Sequence, residues 1–185
     1  MVIQCGDCLI WIDSMSCAWI ISLKRICRIY VKFLAGKVEG KMGAIKEICK
    51  ILFFDELGDE RGNLVVIEGG KNIPFQIKRV FYMYGSDPCI IRGQHANRKS
   101  SFVLINVGGT SKVRITDGKD ELLVTLDKPR MGIYIPPMYW KDMYDFSADS
   151  ILLVLSDQYY DSKEYIRNYD DYLNIIKFSE DIRKV

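Results

Sequence analysis

FVLINVGGTSKVRITDGKDELLVTL, residues 102–126, decides the fold. It holds three short runs, Phe102 to Val107, Lys112 to Thr116 and Glu121 to Leu126, parted by Gly108-Gly109 and Asp117-Gly118. Both dipeptides form turns, and Asp-Gly between two alternating runs signals a hairpin, because these residues accept the positive φ that a tight turn needs. The same rhythm extends outward. Ile48 to Phe54, the polar turn Gly58 to Gly62, Leu64 to Glu68, Gly69-Gly70-Lys71-Asn72 and Arg79 to Tyr84 come before it. Gly132 to Ile135, Pro136-Pro137, Lys141 to Phe146 and Ser150 to Leu155 follow. Short strands with regular turns and no interleaved helices predict an all-β sandwich or jelly-roll barrel, not a parallel α/β sheet. Only Ser162 to Ile182 has helical spacing, with Tyr165, Tyr169, Tyr172 and Ile176 near one face, which predicts a C-terminal helix or two on the barrel.

The 185 residues suffice for one domain with a substantial core. A net charge of +2, with no polybasic block and no acidic tail, argues against a nucleic-acid partner. Eleven Tyr, eight Phe and three Trp, many in short alternating runs, suit a β domain with a lined pocket. Four of the six cysteines (Cys5, Cys8, Cys17, Cys27) crowd into the first stretch, unlike the framework of a small secreted protein, so the expected compartment is the reducing cytoplasm. Cys5-Gly6-Asp7-Cys8 has the spacing of half a zinc site, but no second pair follows, so no zinc is expected there.

Residues 1–41 differ from the rest. Leu9 to Leu34 is apolar but carries Asp13, Lys24, Arg25, Arg28 and Lys32, and its longest uncharged run, Ser14 to Leu23, is about half of a membrane span. Its positive charges follow the apolar run, whereas a secretory signal places them before it. The expectation is an N-terminal extension, 1–41, with the biological start at Met42 and a single domain over 42–185. A basic amphipathic helix on a membrane surface is the alternative for the extension; otherwise no membrane contact is expected.

His95, within Arg92-Gly93-Gln94-His95-Ala96-Asn97-Arg98-Lys99, is the one histidine of the chain. Imidazole titrates nearest neutrality, which makes it the natural proton carrier. Asn97 lies two residues on and shares a face with His95 on an extended strand. Arg79 shares a parity with Phe81, while Tyr82 and Tyr84 share the other; the mouth of a small barrel holds one ligand. The tyrosines equally suit core or interface packing.

Several runs resemble the sugar nucleotide 3,4-ketoisomerases of the cupin superfamily. They are Asp59-Glu60-Arg61-Gly62-Asn63-Leu64, Lys71-Asn72-Ile73-Pro74-Phe75-Gln76-Ile77-Lys78-Arg79-Val80-Phe81-Tyr82, and Arg92-Gly93-Gln94-His95-Ala96. Asp117-Gly118, Leu152-Leu153-Val154-Leu155 with Asp157-Gln158-Tyr159-Tyr160, and Tyr165-Ile166-Arg167-Asn168-Tyr169-Asp170 complete the set, so the resemblance runs from Ile45 to Leu173. It implies a cupin jelly roll (a double-stranded β-helix), metal-free and without cofactor, acting as a homodimer on dTDP-4-keto-6-deoxyglucose. The 3-keto product would be aminated to a 3-amino-3,6-dideoxyhexose for bacterial O-antigen and related surface polysaccharides.

Moving a carbonyl from C4 to C3 needs a base for the acidified C3 proton, an enediolate, and a proton for C4. Under this resemblance His95 is the base or shuttle, and Tyr82 or Tyr84 completes the relay. Arg79 and Arg92 suit the pyrophosphate, or else are solvated strand-end charges. Trp140 stacks on the base or sugar, or else caps the barrel core. The chain departs from the family pattern at two positions assigned to the site. Asn97 stands where His-Ala-His is usual, and Tyr144, in Met143-Tyr144-Asp145-Phe146, replaces a later histidine. Asparagine does not titrate, so Asn97 cannot be a general base. One histidine cannot supply a cupin metal site either. The alternatives are an epimerase on a related nucleotide sugar and a non-catalytic cupin that binds one.

Overall fold

The structure is a computed structural model that describes Val2–Cys5, Cys8–Trp11 and residues 43–182. The chain divides into two compact units, Met1–Gly40 and Lys41–Val185. Within the first, β1 (Val2–Cys5) and β2 (Cys8–Trp11) form an antiparallel hairpin with Val2 opposite Trp11 and Cys5 opposite Cys8. The amphipathic helix considered for Leu9 to Leu34 falls largely outside the described residues.

The second unit carries the remaining strands. These are β3 (Ile51–Phe53), β4 (Glu56–Asp59), β5 (Gly62–Val65), β6 (Arg79–Tyr84), β7 (Arg92–Asn97) and β8 (Phe102–Gly108). They continue with β9 (Ser111–Thr116), β10 (Glu121–Leu126), β11 (Met131–Ile135), β12 (Trp140–Tyr144), β13 (Ile151–Ser156) and β14 (Tyr165–Ile166). One five-stranded sheet has the order β10-β9-β12-β7-β14 and the other β3-β11-β8-β13-β6, with antiparallel pairing throughout. Interleaving distant strands in two facing sheets makes a jelly roll. β4 and β5 form a separate hairpin.

The main core lies between the sheets. Phe102, Leu104, Ile133, Leu152 and Val154 from one sheet meet Val113, Ile115, Leu122, Val124 and Met143 from the other. The alternate residues of β8, Val103 and Ile105, pack on the outer side against Phe54, Ile73 and Leu155. Both faces of β8 are therefore covered, and this is why Phe102 to Ile105 reads as an unbroken apolar run.

Two expectations are corrected. Residues Gly43–Ile48 form a short helix, so β3 begins at Ile51 and not at Ile48. The C-terminal helix runs Tyr169–Ile182, later than the helical spacing from Ser162 predicts. Ser162–Glu164 is a 3-10 turn capped by the Asp161 side chain, and Tyr165–Ile166 extends the sheet by pairing with Asn97 and Ala96. The Asn168 side chain then accepts a hydrogen bond from the Asp171 amide at 3.0 Å and starts the helix. Among the described residues no helix is long and apolar enough to cross a membrane.

Candidate active site

β7 is not a regular strand. Lys141 of β12 stands opposite His95 while Asp142 stands opposite Gly93, so Gln94 is an extra residue and the strand bulges. Gly93 (φ 86°) and Gln94 (φ 51°) take the left-handed backbone that the bulge requires. Gly93 is also hemmed in: a Cβ there would sit 2.7 Å from the Lys141 carbonyl oxygen and 2.8 Å from the Met143 methyl. The bulge has a consequence for direction. Arg92 and His95 are three residues apart and would face opposite ways on a regular strand, yet both line the same cavity.

That cavity has a volume of about 420 Å³. Its walls include His95, Arg92 and Lys141, the rings of Phe81, Phe102 and Tyr165, and the side chains of Met83 and Met143. β14 brings Tyr165 to the imidazole, with ring centroids 4.9 Å apart. The helical reading of Tyr165 could not have placed it there.

His95 Nδ1 lies 2.7 Å from the Gly93 carbonyl oxygen. A carbonyl only accepts, so Nδ1 carries the hydrogen and Nε2 keeps a free lone pair. Burial pushes the imidazole down to about 4, the Lys141 charge and Arg167 push the same way, and the Gly93 bond and Glu164 oppose. His95 is therefore neutral at pH 7, in the form that accepts a proton.

Lys141 is buried, with its ammonium 2.6 Å from Asn97 Oδ1 and 4.6 Å from the centroid of Phe102. Burial, and secondarily Arg79, push it down to about 7, against the pull of Glu164 and Asp142. Asn97 in turn donates from Nδ2 to Glu164 Oε1 at 3.2 Å. Glu164 also accepts from the amides of Ser100 at 3.0 Å and Lys99 at 3.3 Å, and from the Ser100 hydroxyl. The 3-10 turn thus aims one carboxylate at the loop after β7 and, through Asn97, at Lys141.

Arg79 lies between aromatic faces, its guanidinium carbon 5.1 Å from the Phe81 centroid, 6.0 Å from Phe102 and 5.7 Å from Tyr160. Its Nε and Nη2 are buried without a hydrogen-bond partner. Buried N–H groups of this kind cost free energy unless something accepts from them, and an anion's oxygens would.

A family model described as "FdtA: WxcM-like, C-terminal" matches residues 47–177. The chain belongs to this family. It is 43% identical over 130 residues to the TDP-4-oxo-6-deoxy-alpha-D-glucose-3,4-oxoisomerase of Aneurinibacillus thermoaerophilus, covering 69% of this chain and 91% of that one. A 3,4-ketoisomerase from Helicobacter canadensis superposes with a TM-score of 0.68 at 39% identity, over 70% of this chain and 97% of that one. A histidine-to-asparagine variant of the 3,4-ketoisomerase QdtA from Thermoanaerobacterium thermosaccharolyticum, in complex with TDP-4-keto-6-deoxyglucose, gives 0.68 at 40% identity, over 70% and 94%. The jelly roll is thus the cupin fold of this FdtA, WxcM-like family.

Of the residues singled out from sequence, the structure brings His95 and Arg92 to the cavity wall and sets Arg79 against two of its rings. Asn97 is buried behind the wall and reaches it through Lys141. Tyr82 and Tyr84 are not brought there. On β6 the cavity side belongs to Phe81 and Met83, and the two tyrosines are largely exposed on the opposite face. Trp140 also points away: it packs on Tyr169 and Tyr172 under the C-terminal helix, in a cluster separate from the barrel core. Tyr144, half-buried at the end of β12, does not line the cavity. Sequence reasoning missed Lys141, Glu164 and Phe81. For Lys141 a signal existed, since with Trp140 assigned to one face of the strand, alternation puts Lys141 and Met143 on the other.

Proposed function

We propose that the chain is a metal-independent 3,4-ketoisomerase that moves the carbonyl of a dTDP-4-keto-6-deoxyhexose from C4 to C3. The observation that carries this reading is His95: a neutral imidazole with a free Nε2, fixed by a backbone carbonyl, on the wall of a largely apolar cavity that also presents Arg92 and Lys141. Nε2 takes the C3 proton, which the neighbouring C4 carbonyl acidifies, and the electron pair moves into an enediolate with the charge on O4. The protonated imidazole then gives a proton to C4 while the O3 proton passes to O4 and C3 becomes the carbonyl. The net change is an isomerisation, so it calls for no redox cofactor. Arg79, with two buried nitrogens that lack a partner, and Arg92, on the cavity wall, suit the diphosphate oxygens.

The finer setting follows the same reading: a cytoplasmic enzyme working as a homodimer, whose 3-keto product is aminated for O-antigen or another surface polysaccharide. β6 ends its sheet with Val80, Tyr82 and Tyr84 exposed on its outer side, a face that suits a second copy.

Incubation with dTDP-4-keto-6-deoxyglucose in D2O, followed by proton NMR, tests the reading. A 3-keto product is expected, with deuterium at C4 because the proton held on the imidazole exchanges with solvent before delivery. His95→Asn should lower turnover by about 10²–10⁴-fold with the circular dichroism spectrum unchanged. Binding of dTDP without exchange or product would favour a non-catalytic nucleotide-sugar binder, and exchange at another carbon would favour an epimerase.

A further inference from the structure

The isomerisation moves two protons. One passes from C3 to C4, and His95 can carry it. The other must leave O3 and arrive at O4, and Asn97, which cannot titrate, carries nothing. We propose that Lys141 is the second proton-transfer group of the site, shuttling a proton between the two enediol oxygens, with Asn97 and Glu164 as the residues that position its amine. This inference rests on the ketoisomerase reading.

Lys141 and His95 are directly opposed on adjacent antiparallel strands, so their side chains rise side by side from one face of the sheet into one cavity. A buried lysine is costly unless its environment supports it, and such lysines serve as proton-transfer groups. The groups that face this amine come from four elements. Arg79 of β6 disfavours its charge, Glu164 of the 3-10 turn and Asp142 of its own strand favour it, and His95 of β7, whose own charge Lys141 disfavours, stands beside it uncharged. The balance leaves the amine near half-protonated at neutral pH, able both to give and to take a proton. Asn97 fixes the amine's place through Oδ1, and Glu164 fixes which end of the Asn97 amide faces it, since Nδ2 is committed to the carboxylate.

When His95 Nε2 takes the C3 proton, charge collects on O4, and the Lys141 ammonium donates a proton to O4, giving a neutral enediol. The C4–H bond then forms with the proton from His95, and the neutral Lys141 amine takes the O3 proton as the C3 carbonyl forms. Both residues end as they began, and nothing is oxidised or reduced.

The experiment uses the full chain, dTDP-4-keto-6-deoxyglucose in D2O, Lys141→Met and Lys141→Arg. Arginine keeps a cation at the position but does not release a proton near neutrality. In both variants 3-keto product formation should fall about 10²–10⁴-fold, while dTDP binding and His95-dependent deuterium exchange at C3 of the unreacted substrate persist. The wild-type turnover number should fall as pH rises past about 7, as Lys141 loses its proton, and this limb should be absent from the residual activity of Lys141→Met. Product formation by Lys141→Arg within about threefold of wild type would overturn the shuttle, as would loss of C3 exchange together with product while dTDP still binds. The ketoisomerase reading itself fails separately, if the wild-type protein gives neither product nor C3 exchange.

Discussion

Two buried polar clusters sit in this barrel, and they are built to different ends. The first joins Lys141, Asn97, Glu164 and Ser100 behind the cavity wall. The second joins Asn106, Ser111 and Ser150: both hydroxyls donate to Asn106 Oδ1, at 2.8 and 3.2 Å, and Asn106 Nδ2 donates to the Gly108 carbonyl. All seven side chains are essentially out of water. The second cluster is neutral: Asn106 Oδ1 ties β8 to β9 and to the turn before β13, and Nδ2 is spent on the Gly108 carbonyl within β8. The first encloses a cation and a carboxylate with a neutral amide between them, which is electrostatically expensive in a protein interior. A fold that needed only polar glue would use the second arrangement twice. The charge in the first is explained by its position beside His95.

Removal of Glu164 should break the charged cluster most completely. Its carboxylate accepts from the Lys99 and Ser100 amides, the Ser100 hydroxyl and the Asn97 amide, and it is the acid that favours the Lys141 charge most. Glu164→Ala strands those donors beside an uncompensated cation, and urea unfolding at pH 7 should show a loss of about 3–5 kcal/mol. A loss under about 1 kcal/mol would mean that the cluster is already open to water.

The next effect appears in the pH dependence of stability. Lys141 holds its proton to about pH 10 in the unfolded chain but only to about 7 in the fold. Between those values the unfolded chain binds the extra proton, so wild-type stability should rise with pH relative to Lys141→Met, by at most about 1.4 kcal/mol per pH unit. Below about pH 6 both states are charged and the two proteins should run parallel there. His95, held down to about 4, acts in the same sense in a lower window, from about pH 4 to 6.5, where stability falls as acid protonates the unfolded chain first. Chemical denaturation of wild type and Lys141→Met across pH 5–10 tests this; a constant gap throughout would place Lys141 in a water-like setting.

The contrast also explains what could be read in advance. The strand pattern was legible because the neutral core obeys alternation: Phe102 and Leu104 face one way, Val103 and Ile105 the other, and the Asp117-Gly118 turn joins β9 and β10 as expected. His95 stood out through its uniqueness. The rest of the site depended on features that local pattern does not encode. The bulge at Gln94 shifts parity within β7, so Arg92 joins His95 only once the pairing with β12 is known. Tyr165 and Glu164 arrive from more than sixty residues away, on a two-residue strand and a 3-10 turn hidden in a stretch with helical spacing. Tyr82 and Tyr84 attracted notice as aromatic hydroxyls, but the pairing of Phe81 with Val154 and Met83 with Leu152 turns them outward.

The finest test compares one substitution at two matched places. Ser100 and Ser111 are both fully buried, and each hydroxyl donates one bond within its cluster. They differ in the acceptor: a carboxylate for Ser100, a carboxamide oxygen for Ser111. Hydrogen bonds to charged acceptors contribute about 1.5–3 kcal/mol and neutral ones about 0.5–1.5 kcal/mol. Ser100→Ala should therefore destabilise the protein roughly twice as much as Ser111→Ala, although each deletes a single oxygen. After Ser111→Ala, Asn106 Oδ1 keeps the Ser150 hydroxyl and stays satisfied, which holds that loss low. After Ser100→Ala, Glu164 keeps its backbone donors, so the remaining cost measures how far the carboxylate charge strengthens its bonds in this interior. Equal losses would mean that the carboxylate behaves as a neutral acceptor, and the electrostatic distinction between the clusters would then rest on Lys141 alone.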